Sequence, residues 1–412
     1  MSRPFGPIIA IYCSSRMGPN EESRDPVQEK RQGMKEKVVS IRTEKGVARA
    51  LDAVVEHLGG WKSFASRGET IVLKPNLVAP RHSDTGATTS LELLALLVER
   101  LRDLGAYPVI LETPGMEYRL EETWQFFDLP AFASSHGAEL LSVNSNDWVS
   151  VQIAGGKVLK RARVHRAVLE HRIINLPKLK THIITGATLS MKNLMGICHD
   201  DTKRSMHVLG IHRSIVDLNR LIVPVLNLID GTVGMEGDGA VYGVPKKVGM
   251  LIAGKNALAA DLAGLELMGI SIEEIPHLKF AGEEFGVPDT EKVGDVLVQD
   301  QFLAPRPSKA YLLGYRLLYV IDSCFYPLTG IHFNEYLYRK GIVGTRPYIM
   351  KRVCDSCGEC LENCPLPICI DLIKQRIIIK KCLRCLECIA ACTRNAIKVK
   401  GISGKKRNLM DA

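Results

Sequence analysis

The chain has 412 residues, 46% hydrophobic and 24% charged, with a net charge of +9. Such a composition excludes global disorder, and no run of about 18 residues is free of charge, which argues against a membrane span. The length suits two or three domains of roughly 100–200 residues each. Residues 1–36 read as a poorly ordered arm. Its short apolar patch from Phe5 to Cys13 precedes a charged, aperiodic run with no signal-peptide cleavage pattern. Met34 is a candidate start. Strands and helices then alternate. Strand 37–41 is followed by a helix over 46–58, with Val47, Leu51, Val54, Val55 and Leu58 on one face, closed by Gly59-Gly60. A buried strand over 70–73 runs into Lys74-Pro75-Asn76. Thr89-Ser90-Leu91-Glu92 reads as a capping box opening a helix to about residue 104. Then come a strand over 107–111, a helix over 122–135 and strands over 139–143 and 172–176. A helix over 214–223, strands over 225–229 and 247–253, and a helix over 257–268 complete the series. This alternation predicts an α/β domain over 37–300, with a mostly parallel or mixed sheet covered by helices. Residues 301–345 read as a helical connector in which the Leu- and Tyr-rich stretch 311–326 is a buried helix. A membrane-surface helix is the weaker reading, because a basic face is lacking.

The next segment, 346–400, holds nine of the 12 cysteines. The spacing is Cys354-x2-Cys357-x2-Cys360-x3-Cys364-Pro365, repeated 28 residues later as Cys382-x2-Cys385-x2-Cys388-x3-Cys392. This is the spacing of a small α+β two-cluster bacterial ferredoxin, in which the fourth cysteine of each run ligates the other cluster. The expected sets are Cys354, Cys357, Cys360 and Cys392 for one [4Fe-4S] cluster, and Cys364, Cys382, Cys385 and Cys388 for the other. Cys369 maps onto Ile397 under the same offset and reads as a small buried hydrophobe. Zinc does not need two runs of four thiolates, and disulfides would need an oxidising compartment. A reducing, cytoplasmic location is expected. Residues 346–412, including a basic tail over 401–412, carry a net +8. Two oxidised clusters of charge about −2 each would offset roughly half of it, so nucleic acid is not needed as a partner.

Within the α/β region, polar motifs fall at expected strand ends, where open sheets bind ligands. Lys74-Pro75-Asn76, Lys178-Leu179-Lys180-Thr181-His182, Lys192-Asn193-Leu194-Met195-Gly196, and Asp230-Gly231 with Glu236-Gly237-Asp238-Gly239 together resemble the signature segments of domain-of-unknown-function family 362, over roughly residues 37–300. Gly239-Ala240 and Asn256-Ala257 depart from the usual pattern of that family. The resemblance implies an iron–sulfur-binding protein and no established reaction. From the residues themselves, Lys74, Lys180 and Lys192 are candidates for one anion site, with Lys178, Asn76 and Asn193 beside them. His182 and Lys180 are candidate acid–base groups. Asp230, Glu236 and Asp238, in a glycine-rich loop, could hold a divalent cation. The leading expectation is a redox protein, a possible oxidoreductase, whose ferredoxin unit passes single electrons to or from an α/β domain holding an anionic small molecule. It would also need a redox partner protein. The alternatives are an electron-transfer module that docks a partner enzyme, and a non-redox enzyme with structural or sensory clusters.

Overall fold

A computed structural model describes residues 35–143, 145–296, 301–305, 307, 309–344, 346–400 and 406–407. Most of the expected N-terminal arm and basic tail lie outside the described residues. From Glu36 onward the centre is a ten-stranded mixed sheet. Its strands in chain order are β1 (Glu36–Arg42), β2 (Thr70–Lys74), β3 (Tyr107–Ile110), β4 (Glu139–Leu140), β7 (Arg172–Asn175), β8 (Lys178–His182), β9 (Gly186–Thr188), β10 (Leu226–Glu236), β11 (Val244–Gly254) and β12 (Thr290–Gly294). Strands β5 (Trp148–Gln152) and β6 (Arg161–His165) form a separate antiparallel hairpin. The sheet order is β12-β1-β11-β10-β7-β2-β3-β4, with β8 also on β10 and β9 on β8. From β10 to β4 the neighbours are parallel, whereas β10–β11 and β11–β1 are antiparallel.

Side-chain alternation explains why both faces are covered. Val72, Ile173 and Ile252 enter one core, while Ile71, Leu73, Ile174 and Leu251 enter the other. Successive strand residues point to opposite faces, so runs apolar at every position need a helical layer on each side. Helices α1 (Val47–His57) and α2 (Leu91–Asp103) cover one face. Helices α7 (Ile211–Leu221) and α8 (Ala257–Met268) cover the other. Between them in chain order lie α3 (Leu120–Phe127), α4 (Leu129–His136), α5 (Ser190–Asn193) and α6 (Asp200–Leu209).

Five local expectations are corrected. The cap of α2 is Ser90, whose side chain accepts from Leu93 N; Thr89 instead donates from Oγ1 to the Leu176 carbonyl, across to the next strand end. The helix expected over 122–135 is two helices, α3 and α4, parted at Asp128. Its φ of 46° is a left-handed conformation that Asp tolerates, and a proline follows in the first turn of α4. Residues 178–182 are a strand, not a strand-end loop. Strand β10 does not stop at Ile229 but runs to Glu236 against β11, with an irregularity between Gly231 and Val233. Its glycines serve close packing: a Cβ on Gly231 would lie 2.7 Å from the Met250 carbonyl oxygen.

The fifth correction concerns 311–326. These residues lie in α10 (Lys309–Thr329), which packs against α6 and the following α11 (Phe333–Arg339). Tyr319 and Asp322 are buried, but Leu313, Leu317, Val320, Ile321 and Leu328 are exposed. The helix is therefore buried on one face only. No described helix is long and apolar enough to cross a membrane. The cysteine-rich segment carries β13 (Arg346–Ile349) antiparallel to β16 (Ile397–Lys400), and a two-stranded hairpin of β14 (Ile370–Asp371) with β15 (Arg376–Ile377).

Candidate functional site

Lys74 ends β2, and its neighbour in the sheet, β3, is followed by Glu112. The two strands are parallel, so their ends emerge on the same edge. Lys74 Nζ meets Glu112 Oε2 at 2.7 Å, and both side chains are buried. Burial draws the Lys74 pKa down, and the Glu112 carboxylate opposes that. Lys178 is likewise paired, with Asp230 Oδ2 at 2.8 Å. Burial works against the Asp230 charge, but Lys178, Thr232 and the Ser90 N–H hold its pKa below the usual range. These two lysines are neutralised in place and are not open to an outside anion.

Lys180 has no carboxylate partner among the described residues. Its Nζ donates to Asn76 Oδ1 at 2.9 Å and to the Ala87 carbonyl, neutral acceptors both. Burial, then the positive charges of Lys192 and Lys178, push its pKa well below that of a free lysine. From Asn76 a chain of amides continues in one direction. Asn76 Nδ2 donates to Asn193 Oδ1 at 2.8 Å, Asn193 Nδ2 to Asn175 Oδ1 at 2.8 Å, and Asn175 Nδ2 to Asn227 Oδ1 at 2.9 Å. Each buried amide is satisfied by the next, and the chain ties the ends of β2, β7, β8 and β10 to α5.

Lys192 is different. It makes no hydrogen bond or ion pair among the described residues, and it keeps part of its surface accessible although protein surrounds it. Burial lowers its pKa to about 8, opposed by the Glu117 carboxylate. Glu117 is itself pushed up by burial. His182 feels the same lysine: burial and then the charges of Lys192 and Lys180 keep it neutral. Its Nδ1 accepts from the Ile184 and Thr185 N–H groups at 3.1 and 3.3 Å, which leaves the ring proton on Nε2. A histidine so fixed can donate from Nε2 at neutral pH but is a poor base. His207, stacked on Tyr319 with centroids 4.1 Å apart, is held neutral to about pH 3 by burial. Tyr311 and Tyr315 of α10 feel the Glu117 charge.

The start of α5, which carries Lys192 and Asn193, is pinned by Asp261. Its carboxylate accepts from the Ser190 and Met191 N–H groups at 2.6 and 3.0 Å. Burial outweighs those donors and raises its pKa to about 7. Of the expected cation ligands, Asp230 is the buried partner of Lys178. Glu236 lies six residues along the same strand, bonded to Leu303 N at 3.0 Å and 3.4 Å from Lys246. Asp238 lies beyond the strand end and acts on Tyr311. The three acids are not gathered, and among the described residues no group of three or more His, Cys, Asp or Glu side chains forms a single-ion site. Cys198 is a buried thiol, pushed up to about 12 by its burial.

Every described cysteine is a free thiol. Cys354, Cys357, Cys360 and Cys392 line one hollow, walled by Ile349, Leu372 and Ile397. Cys364, Cys382, Cys385 and Cys388 line a second, walled by Pro365, Ile370 and Leu383. Thiols spread round a hollow suit a cubane, whose corners are four different iron atoms, better than one ion. Cys369 also lines the second hollow, at the place Ile397 takes in the first. It is 1% exposed within a hydrophobic cluster, as expected, with its Sγ 3.6 Å from that of Cys364.

Side-chain contacts link the loop round the second hollow to Tyr118, next to Glu117. Arg81 donates from NH1 to the Cys385 carbonyl at 2.7 Å and lies over the Tyr242 ring. Tyr338 donates to the Leu383 carbonyl at 2.8 Å and packs edge-on to Tyr118 with centroids 5.1 Å apart. Tyr118 and Tyr242 share a 3.2 Å hydroxyl contact, and Tyr118 follows Glu117 directly.

Sequence reasoning missed Glu112, Glu117, Asn175, Asn227 and Asp261. Only Glu112 left a local signal, a carboxylate just beyond a buried strand, parallel to the strand that ends at Lys74. The family described as Domain of unknown function (DUF362) matches residues 71–266, a span that holds all the α/β candidates and none of the eight cysteines. Thylakoid-associated protein sll1697 of Synechocystis sp. (strain ATCC 27184 / PCC 6803 / Kazusa) is 26% identical over 259 residues, covering 58% of this chain and 75% of the relative. No solved structure matches the chain.

Proposed function

We propose that the chain is an iron–sulfur redox protein in which a two-cluster ferredoxin-like unit exchanges single electrons with a small anionic molecule bound at Lys192. The observation that carries this is the division of eight cysteines into four and four round two hollows, in the sets expected from their spacing. When bound, each cluster takes up or gives back one electron at a time. The chain's own residues do the rest. Lys192 offers an unpaired ammonium to the anion. His182 donates from Nε2 to an oxygen of it. Arg81, Tyr338, Tyr118 and Tyr242 tie the Cys382–Cys388 loop to the segment that carries Glu117. The test is anaerobic reconstitution of the full chain, with iron and sulfide counts and a spectral titration with phosphates and carboxylic acids. A chain without clusters would end this reading. A loaded chain whose Lys192→Gln variant responds to anions like the parent would favour the second role, an electron carrier that docks a partner enzyme.

The association of the relative with thylakoids suggests where this chain works. We propose that it acts as a peripheral protein at a membrane surface, a reading favoured by the exposed apolar face of α10.

A further inference from the structure

We infer that the outward face of α10 is the surface that seats the protein on an anionic lipid bilayer. This rests on the peripheral-membrane reading above and not on the redox reading.

The face is built by helical spacing. Leu313, Leu317, the adjacent Val320 and Ile321, and Leu328 two turns further on line one side over four turns, and they are 73%, 55%, 45%, 37% and 86% exposed. Residues that recur in this way share one side of a helix. Ordinary surface helices turn such a stripe inward. Here the inward side is already fixed by polar anchors. Asp322 is fully buried; it accepts from Arg204 Nε at 2.8 Å, faces His332 Nδ1 at 3.0 Å and accepts from the Phe333 N–H. Tyr319 and Tyr315 pack against His207 on the same side. Rolling the stripe inward would tear Asp322 from a guanidinium and an imidazole, so the helix is locked with its apolar side out.

Charge selects the occupant. Between Tyr311 and Leu328 the only charged residues are Asp322, turned inward, and Arg316, which is exposed. Arg316 donates to the Val208 carbonyl at 3.3 Å and has no acid beside it among the described residues. At the other end the stripe meets Phe325 and Tyr336, over whose ring the Lys340 ammonium sits 5.4 Å from the centroid. An apolar stripe with Arg316 in its first turn, Lys340 beyond its last, aromatic rings at its edge and no outward acid fits an anionic headgroup layer above acyl chains. A second copy of the chain would bring cation against cation. A stable dimer also buries about 800 Å² per partner, more than one convex helix face presents. The helix cannot insert across the bilayer, because its other side holds buried charge.

The experiment is flotation of the reconstituted full chain with vesicles of phosphatidylcholine alone and with one-third phosphatidylglycerol. The parent should float with the anionic vesicles and much less with the neutral ones. Leu313→Glu with Leu317→Glu should cut the bound fraction roughly tenfold or more, since each change puts a charge where a solvent-exposed leucine would enter the bilayer. Ile373→Glu, at a residue 97% exposed on the hairpin of the cysteine-rich segment, should float like the parent. Circular dichroism and cluster absorbance check that each variant is folded. If the parent floats and the double variant floats equally, α10 is not the seat although the membrane reading survives. If the parent stays down with both vesicle types, both ideas fall. A parent that is dimeric by light scattering, and monomeric and still vesicle-bound in the double variant, would assign the stripe to a second copy.

Discussion

Lys180 donates its ammonium proton to Asn76 Oδ1 at 2.9 Å, across 104 positions of sequence. That contact starts the one-way chain of amides through Asn193 and Asn175 to Asn227. It makes a lysine that looks like an anion hook into a structural donor, bonded to neutral oxygens and short of a balancing charge.

The amide chain makes Asn193 a sharp test. Asn193→Ala leaves Asn76 Nδ2 and Asn175 Oδ1 without their partners. Each buried orphan costs about 1–3 kcal/mol. Urea unfolding should show a loss of about 2–5 kcal/mol, whereas Asn193→Asp, which keeps an acceptor for Asn76, should lose less.

The buried lysines should separate by variant. Lys74→Met strands the Glu112 carboxylate and should destabilise by about 3–5 kcal/mol, the usual result when one member of a buried pair is removed. Gly196→Ala should mimic it in part, since a Cβ there would lie 2.4 Å from Glu112 Oε1 and 2.7 Å from Lys74 Nζ. Lys192→Gln removes no partner and relieves a charge that burial disfavours, so at pH 7 it should not destabilise the fold and should, if anything, raise the unfolding free energy. It should also abolish stabilisation by anions in a thermal-shift screen.

Anion binding at Lys192 should fade as pH rises through about 8, where its ammonium loses the proton. The stability effect has the opposite sign. The folded pKa lies below that of a free lysine, so between about 8 and 10.5 the unfolded chain holds more protons and stability from this group rises with pH. Thermal shift with and without phosphate at pH 7 and pH 9 separates the two.

His332 should impose the reverse trend. Burial opposes its charge, but Asp200 and Asp322 on its two nitrogens outweigh it and raise the pKa to about 9. Its contribution is therefore complete below the ordinary 6.5 and lost as pH rises through 9. A shift of that size corresponds to about 3 kcal/mol. The difference in unfolding free energy between the parent and His332→Gln should shrink between pH 6 and pH 9.5. An unchanged difference would show that the imidazolium does not clamp α10.

The cysteine hollows predict about eight iron and eight sulfide per chain. Cys360→Ala should remove one set and Cys388→Ala the other. Cys369→Ala should keep the full count, because eight other thiols divide four and four. It should shift the potential of a single cluster, since Cys369 lines only the second hollow.

By itself the sequence determined the features carried by short-range pattern. The 28-residue repeat of cysteines named the thiols round each hollow. The alternation of apolar strands with periodic helices announced an α/β sheet covered by helices, and the helix over 257–268 stands where its spacing put it. Tertiary structure decided what each charge is for. Lys74, Lys178, Lys180 and Lys192 look alike in sequence. Glu112 lies 38 positions from the first and Asp230 52 from the second, and only folding brings them within 3 Å. Lys180 is claimed by an asparagine, and Lys192 alone is left without a hydrogen-bond or ion-pair partner among the described residues. The same is true of α10. Its composition reads as core, but Asp322 fixes which face turns inward, and its partners Arg204 and His332 lie 118 positions upstream and 10 downstream. Local sequence fixes period and covalent neighbours, while the pairing of buried charges is settled through space, by which strand ends and helices the fold sets side by side.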